Sequence, residues 1–110
     1  MPWEFEREHY RIMYPTAARP RFRGDGLDHE VIDLCEAGLR YRLVAEEERL
    51  LGDQVEGVVR FRRGEEVRIA GTVVRITDRQ VALRLSLGFP LRVVLDEQRY
   101  LREHHRGSAW

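Results

Sequence analysis

The sequence predicts an all-β domain, a six-stranded antiparallel β-barrel covered at one end by a C-terminal α-helix. Three observations lead there. Six short stretches alternate apolar and polar residues with period two, and turn-forming residues separate them. Past Gly88 and Pro90 the period changes to that of an amphipathic helix. The chain has 110 residues, enough to bury one modest core and too few for a second. Closing the sheet leaves no edge open to aggregation, and the helix covers apolar surface that so small a barrel cannot bury alone.

Each element has its own signal. Residues 1–18 read as an irregular, polar, flexible arm, in which Tyr14-Pro15-Thr16 opposes a continuous helix. The barrel and its helix are expected over 19–110 as a single domain. Arg19 to Arg23 is a short strand, Gly24-Asp25-Gly26 a strong turn, and His29 to Leu34 a second strand hairpinned to the first. A tight turn at Cys35-Glu36-Ala37 leads through Gly38 into Leu39 to Leu43, which alternates as a half-buried strand should. Glu46-Glu47-Glu48 is expected as a solvated loop or a helical turn. Val55, Val59 and Phe61 share one face of the next strand, and Val67, Ile69 and Val73 follow in the one after. There the alternation slips, because Val73 and Val74 are both apolar, and a bulge or sharp bend at Gly71 accounts for it. Val81, Leu83 and Leu85 alternate cleanly. Leu91, Val94, Leu95, Gln98 and Leu101 then carry the spacing of one helix face.

Composition narrows the function. The chain is 43% hydrophobic and 35% charged, ordinary for a globular domain though rich in charge. No apolar run approaches the roughly 18–20 residues that span a bilayer. The opening MPWEFEREHY lacks the basic-then-apolar pattern of a secretory leader. A single cysteine, Cys35, excludes an internal disulfide and a four-cysteine metal site. The expected compartment is the cytoplasm. Nineteen basic residues cancel nineteen acidic ones, so no global field draws the chain onto nucleic acid. All the basic residues are arginine, whose planar fork grips phosphate and the guanine edge and stacks on flat rings.

Two motifs carry more. Arg7-Glu8-His9-Tyr10-Arg11 is an Arg-x-x-x-Arg in the arm, and Asp33-Leu34-Cys35-Glu36-Ala37-Gly38 is an Asp-x-Cys-x-x-Gly after a strand. In so arginine-rich a chain the first spacing occurs four times, so position selects Arg7 and Arg11: they precede the first strand in a segment able to reach across a ligand. With Gly57 to Phe61, Gly71 to Arg75 and the closing Leu91 to Leu101, these motifs resemble the PilZ domain family, bacterial receptors for the second messenger cyclic di-GMP. The resemblance spans nearly the whole chain and implies the six-stranded barrel with its C-terminal helix. Two positions depart from the family pattern. Cys35 stands where the family has serine, and Glu6 where many members carry a further arginine.

What the resemblance implies for the site is chemically reasonable. Arg7 and Arg11 would hold phosphates and guanine, since arginine binds phosphate oxygens, contacts guanine O6 and N7 in bidentate fashion, and stacks on the base. Asp33 would accept from the guanine N1 and N2 edge. Cys35 and Gly38 would form the ligand-facing turn, with glycine allowing the backbone to turn and the ligand to approach. The implied ligand is cyclic di-GMP, with no cofactor, and the implied partner is an unidentified protein effector reached when the arm orders across the ligand.

Other readings of the same residues remain open. Arg7 and Arg11 can pair with Glu4, Glu6 or Glu8 on a solvated arm, and Asp33 can cap the turn that follows it. Cys35 is a small half-buried side chain with no base implied by spacing, and His29 has no evident acid partner, so no enzyme is expected. Adjacent His104 and His105 diverge by about 100° on a helix and mark its exposed end rather than a metal site with His9 and His29. Trp3, Tyr10 and Trp110 serve either as stacking surfaces or as core fringe. The alternative function is a PilZ-fold interaction module with weak or lost cyclic di-GMP binding, acting in motility, attachment or polysaccharide secretion. The helix faces either are all spent on the barrel or join two chains, which leaves a homodimer open.

Overall fold

The computed structural model describes residues 11–105. A two-residue strand, β1 (Ile12–Met13), and a 3-10 turn (Thr16–Ala18) lead into β2 (Arg21–Gly24), β3 (Leu27–Cys35) and β4 (Gly38–Arg42). After a loop come β5 (Gln54–Arg60), β6 (Glu66–Thr77) and β7 (Gln80–Leu87), then the helix α1 (Leu91–His104). The antiparallel pairings run β3–β2–β5–β6–β7–β4, and β4 returns to β3, so six strands close into the expected barrel. Strand β1 takes over the edge of β3 that β2 vacates, with Ile12 opposite Leu34 and Met13 opposite Asp33. Alternation places Phe22, Val31, Tyr41, Val59, Ile69, Val73 and Val81 in the barrel interior, all of them buried.

Three irregularities interrupt the alternation. Ala70 faces Leu87 and Gly71 faces Leu85, leaving Ser86 as the extra residue. A bulge does lie beside Gly71, but its extra residue is on β7, and the slip that Val73 and Val74 show in the sequence comes instead from the second bulge. Glycine is required at 71 because a Cβ would lie 2.5 Å from the Arg84 carbonyl oxygen. A second bulge on β6 skips Val74, so that Val73 faces Leu83 and Arg75 faces Ala82. A third on β3 skips Ile32, so that Val31 faces Tyr41 and Asp33 faces Arg40. Each bulge shifts the inside–outside phase by one residue.

The arm expected over 1–18 is divided. Residues 1–10 lie outside the described residues, but Ile12, Tyr14 and Ala18 are buried in the core. The barrel therefore begins earlier than the sequence suggests, because β1 supplies both a ladder and an apolar plug.

The helix is rotated from the face its apolar spacing predicts. Val93, Val94, Glu97 and Leu101 point inward, while Leu91 and Leu95 are exposed. The reason is Glu97. Its carboxylate accepts the Tyr14 hydroxyl at 2.5 Å and Arg63 Nε at 2.7 Å, so an acidic residue occupies a buried position that periodicity alone assigns to solvent. Burial pushes the Glu97 carboxyl above the ordinary range, against the lowering influence of the Tyr14 and Arg63 hydrogen bonds. Burial first, and the Glu97 charge second, push the Tyr14 phenol well up. The network ties the first strand, the β5–β6 turn and the helix together.

His29 and the acidic loop also differ from expectation. The His29 ring is buried against Phe22 and Tyr41, with centroids 5.7 and 4.7 Å away. Its Nδ1 lies 3.1 Å from the Phe22 carbonyl oxygen and its Nε2 lies 2.8 Å from Glu47 Oε1. Glu47 thus supplies the acid partner that the sequence did not reveal. It also accepts from the Val44 N–H at 3.2 Å, which folds the loop back over the barrel end. Within the expected solvated stretch, Glu46 and Glu48 are exposed and Glu47 is not. His29 and Cys35 are separated by six residues of strand, on the order of 20 Å of chain, which removes the histidine as a base for the thiol.

Candidate functional site

The site begins with the bulge at Ile32. In unbroken alternation Val31 facing inward would send Asp33 inward too. The extra residue instead turns Leu34 into the core and Asp33 outward, opposite Arg40. There the Asp33 carboxylate is screened from solvent, with a side chain only 6% exposed. Its Oδ2 accepts Arg40 Nε at 2.9 Å and Arg40 Nη2 as well, and Arg11 Nη2 reaches the same oxygen at 3.2 Å. A carboxylate this enclosed is tolerated because two guanidinium groups compensate it. The turn-capping alternative for Asp33 is not what the side chain does, since its hydrogen bonds go to the two arginines.

Arg11 reaches this point because β1 runs antiparallel beside β3 and fixes the chain immediately after it. At the other end of the site, Cys35 pairs with Gly38 across the two-residue turn Glu36-Ala37. That turn is held from outside: the Leu85 N–H donates to the Ala37 carbonyl at 2.8 Å, and the Phe89 N–H to the Glu36 carbonyl at 2.9 Å. Gly38 does not adopt a left-handed backbone conformation. Its value is space, since a Cβ there would come within 3.3 Å of Cys35 Sγ and crowd the groove.

Arg11, Asp33, Cys35 and Gly38 border one groove of about 490 Å³. Arg7, the other residue expected there, lies outside the described residues, as do Trp3, His9, Tyr10 and Trp110. The opposite wall comes from β4, β6 and β7 and includes Arg40, Val74, Arg75, Ala82 and Arg84. These residues went unnoticed in the sequence, although the alternation of LRYRL and ALRLS marks Arg40 and Arg84 as outward-facing. What was missing was the strand order that makes β4, β7 and β6 neighbours. Four guanidinium groups and two carboxylates, Asp33 and Asp78, give the groove the chemistry of an anion site with an acceptor at one edge.

Nothing at this groove resembles a metal centre. Among the described residues no three His, Cys, Asp or Glu side chains gather around one point, and His104 stacks on Tyr100 at 4.2 Å while bonding the Tyr100 carbonyl oxygen. No helix among the described residues is long and apolar enough to cross a membrane.

The model of one protein family, the PilZ domain, matches residues 5–105. The chain belongs to the PilZ domain family. Its barrel and lid are the fold of that family, whose members bind cyclic di-GMP as a ligand and act as receptors or adaptors rather than enzymes. Among solved structures, this PilZ domain is similar to the Bacillus subtilis inhibitor of motility, MotI/DgrA, with a TM-score of 0.65 at 11% identity. The similarity covers 87% of this chain and 51% of the other, so this chain spans about half the length of that neighbour. At such identity the likeness shows the fold. No curated protein matches the sequence.

Proposed function

We propose that this PilZ domain is a non-enzymatic receptor that binds cyclic di-GMP in the groove between the arm and the barrel and signals through a changed protein-binding surface. The observation that carries this reading is the convergence of Arg11 and Asp33, 22 residues apart in sequence and 3.2 Å apart in space, beside the Cys35–Gly38 turn. Arg7 and Arg11 hold phosphate and guanine, Asp33 accepts from the guanine N1 and N2 edge, and Cys35 and Gly38 form the floor of the turn. Because Ile12, Tyr14 and Ala18 already belong to the core, the ligand-driven change lies in the chain before Arg11. The effector is a protein of the cytoplasm. Control of motility is a candidate output, since the neighbouring fold is an inhibitor of motility.

Isothermal titration with cyclic di-GMP tests the reading: saturable heat and a raised melting temperature are expected, and their absence overturns it. Cys35→Ser exchanges a weak thiol donor for a hydroxyl at the groove edge. It is expected to tighten binding by about two- to tenfold, the scale of one neutral hydrogen bond, as read by the same titration. A serine variant that binds no better removes Cys35 from the contact set.

A second reading has one observation in its favour. Asp33 Oδ2 is already occupied by two arginines, as in a domain that keeps its carboxylate for itself. In that case the domain is an interaction module that works without nucleotide, and a stable protein partner co-purifies with no heat on titration.

A further inference from the structure

The pairing registers draw a line across the outside of the barrel. Reading from strand to strand, Asp33 faces Arg40, Arg40 faces Ala82, and Ala82 faces Arg75. These four residues form one outward row over β3, β4, β7 and β6. The row exists only because of two bulges. Skipping Ile32 brings Asp33 onto it at one end, and skipping Val74 brings Arg75 onto it at the other. Without them, both charged residues would follow Val31 and Val73 into the core. In the adjacent outward row, Cys35 faces Gly38 and Gly38 faces Arg84.

Small residues occupy the centres of both rows. Ala82 lies between Arg40 and Arg75, and Gly38 lies between Cys35 and Arg84. Strands stand about 4.8 Å apart, so Arg40 and Arg75 leave the sheet on the order of 10 Å from one another, across a floor made of one methyl group. That is a trough for a flat ring, with a cation on each side. Arg40 is committed to Asp33. Among the described residues Arg75 and Arg84 make no ion pair and no side-chain hydrogen bond, while both line the groove.

Resting on the cyclic di-GMP reading, we propose that this trough is the guanine-selecting wall of the site. The purine lies on Ala82, Arg75 reads its O6 and N7, and Arg84 meets a phosphate. Guanine offers two acceptors to a guanidinium fork, whereas adenine places an amino donor where O6 would be. Arg40 is a positioning residue that holds Asp33 at the far end of the row. Arg11 grips the ligand from one side, and Arg75 decides from the other which base is accepted.

The test is a titration of the parent protein, Arg11→Ala, Arg75→Ala, Arg84→Ala and Ala82→Leu with cyclic di-GMP and with cyclic di-AMP, alongside a melting curve for each. Arg75→Ala is expected to weaken cyclic di-GMP binding by about 5- to 150-fold and to shrink its preference over cyclic di-AMP, which a structural role would leave unchanged. Ala82→Leu fills the trough and is expected to weaken binding at least tenfold, and Arg84→Ala to weaken both nucleotides alike. If the parent binds and Arg11→Ala weakens it, but Arg75→Ala and Ala82→Leu bind as the parent does, the trough is not the base site and the receptor reading stands. No binding by the parent removes both. Should Ala82→Leu lower the melting temperature, the surface variant Arg75→Ala decides alone.

Discussion

Replacing Arg63 with methionine is expected to cost about 3–5 kcal/mol of stability at neutral pH, the range seen when one partner of a buried ion pair is removed. Glu97 is the cause. Its side chain is 2% exposed, and without Arg63 it keeps, among the described residues, only the Tyr14 hydroxyl as partner. The Arg63 guanidinium also lies over the Phe61 ring, 5.3 Å from its centroid, and methionine keeps an unbranched side chain of similar reach there, so the loss reports on charge more than on volume. A drop of at least about 10 °C in melting temperature should follow.

The deficit should also depend on pH in a defined direction. Burial already holds the Glu97 carboxyl above its ordinary value of 4.5, and losing Arg63 removes an influence that lowers it. Between the ordinary value and the raised one, the native state keeps a proton that the unfolded chain has released. Stability from this group is therefore present at low pH and is lost as pH rises through the native value. Denaturant melts at pH 5 and pH 8 should show a smaller deficit for Arg63→Met at pH 5. Equal deficits at both would mean that Glu97 does not feel its burial as the packing implies.

Arg11→Ala should produce the opposite pattern, a large loss in binding with little loss in stability. The Arg11 side chain is 46% exposed, and such an ion pair is worth about 0–1 kcal/mol to the fold. Against a guanine edge the same fork is worth about 1–3 kcal/mol, so cyclic di-GMP affinity should fall by about 5- to 150-fold while the melting temperature of the free protein moves by a few degrees at most. Arg11→Lys should recover only part of the affinity, since an ammonium restores charge without the bidentate geometry. Unchanged affinity in Arg11→Ala would remove the arm from the site.

The strands and the helix were legible because period two and period 3.6 survive in the sequence whatever the partners are. The candidate residues Arg11, Asp33, Cys35 and Gly38 were legible through motif spacing, and the structure sets all four on one groove. The outward turn of Asp33 was visible only as a hint: Val31 and Ile32 are adjacent and apolar just before the acid, the same slip that Val73 and Val74 show. Recognising it needs the partner strand, because a bulge is defined by two residues facing one. The burial of Glu97 and Glu47 is not legible in the sequence for a related reason. A carboxylate is buried only when distant residues supply donors, and Tyr14, Arg63 and His29 lie far from them in sequence.

Local pattern alone determined which segments are the six barrel strands, where the helix starts, and which residue types can meet a phosphate and a purine, but not the short strand Ile12–Met13. Tertiary structure decided which arginines share a surface with Asp33, because antiparallel registry and two bulges set the outward rows. It also decided how far the arm belongs to the core. Side-chain periodicity is a property of one segment, whereas registry is a property of two, and the groove is built from registry.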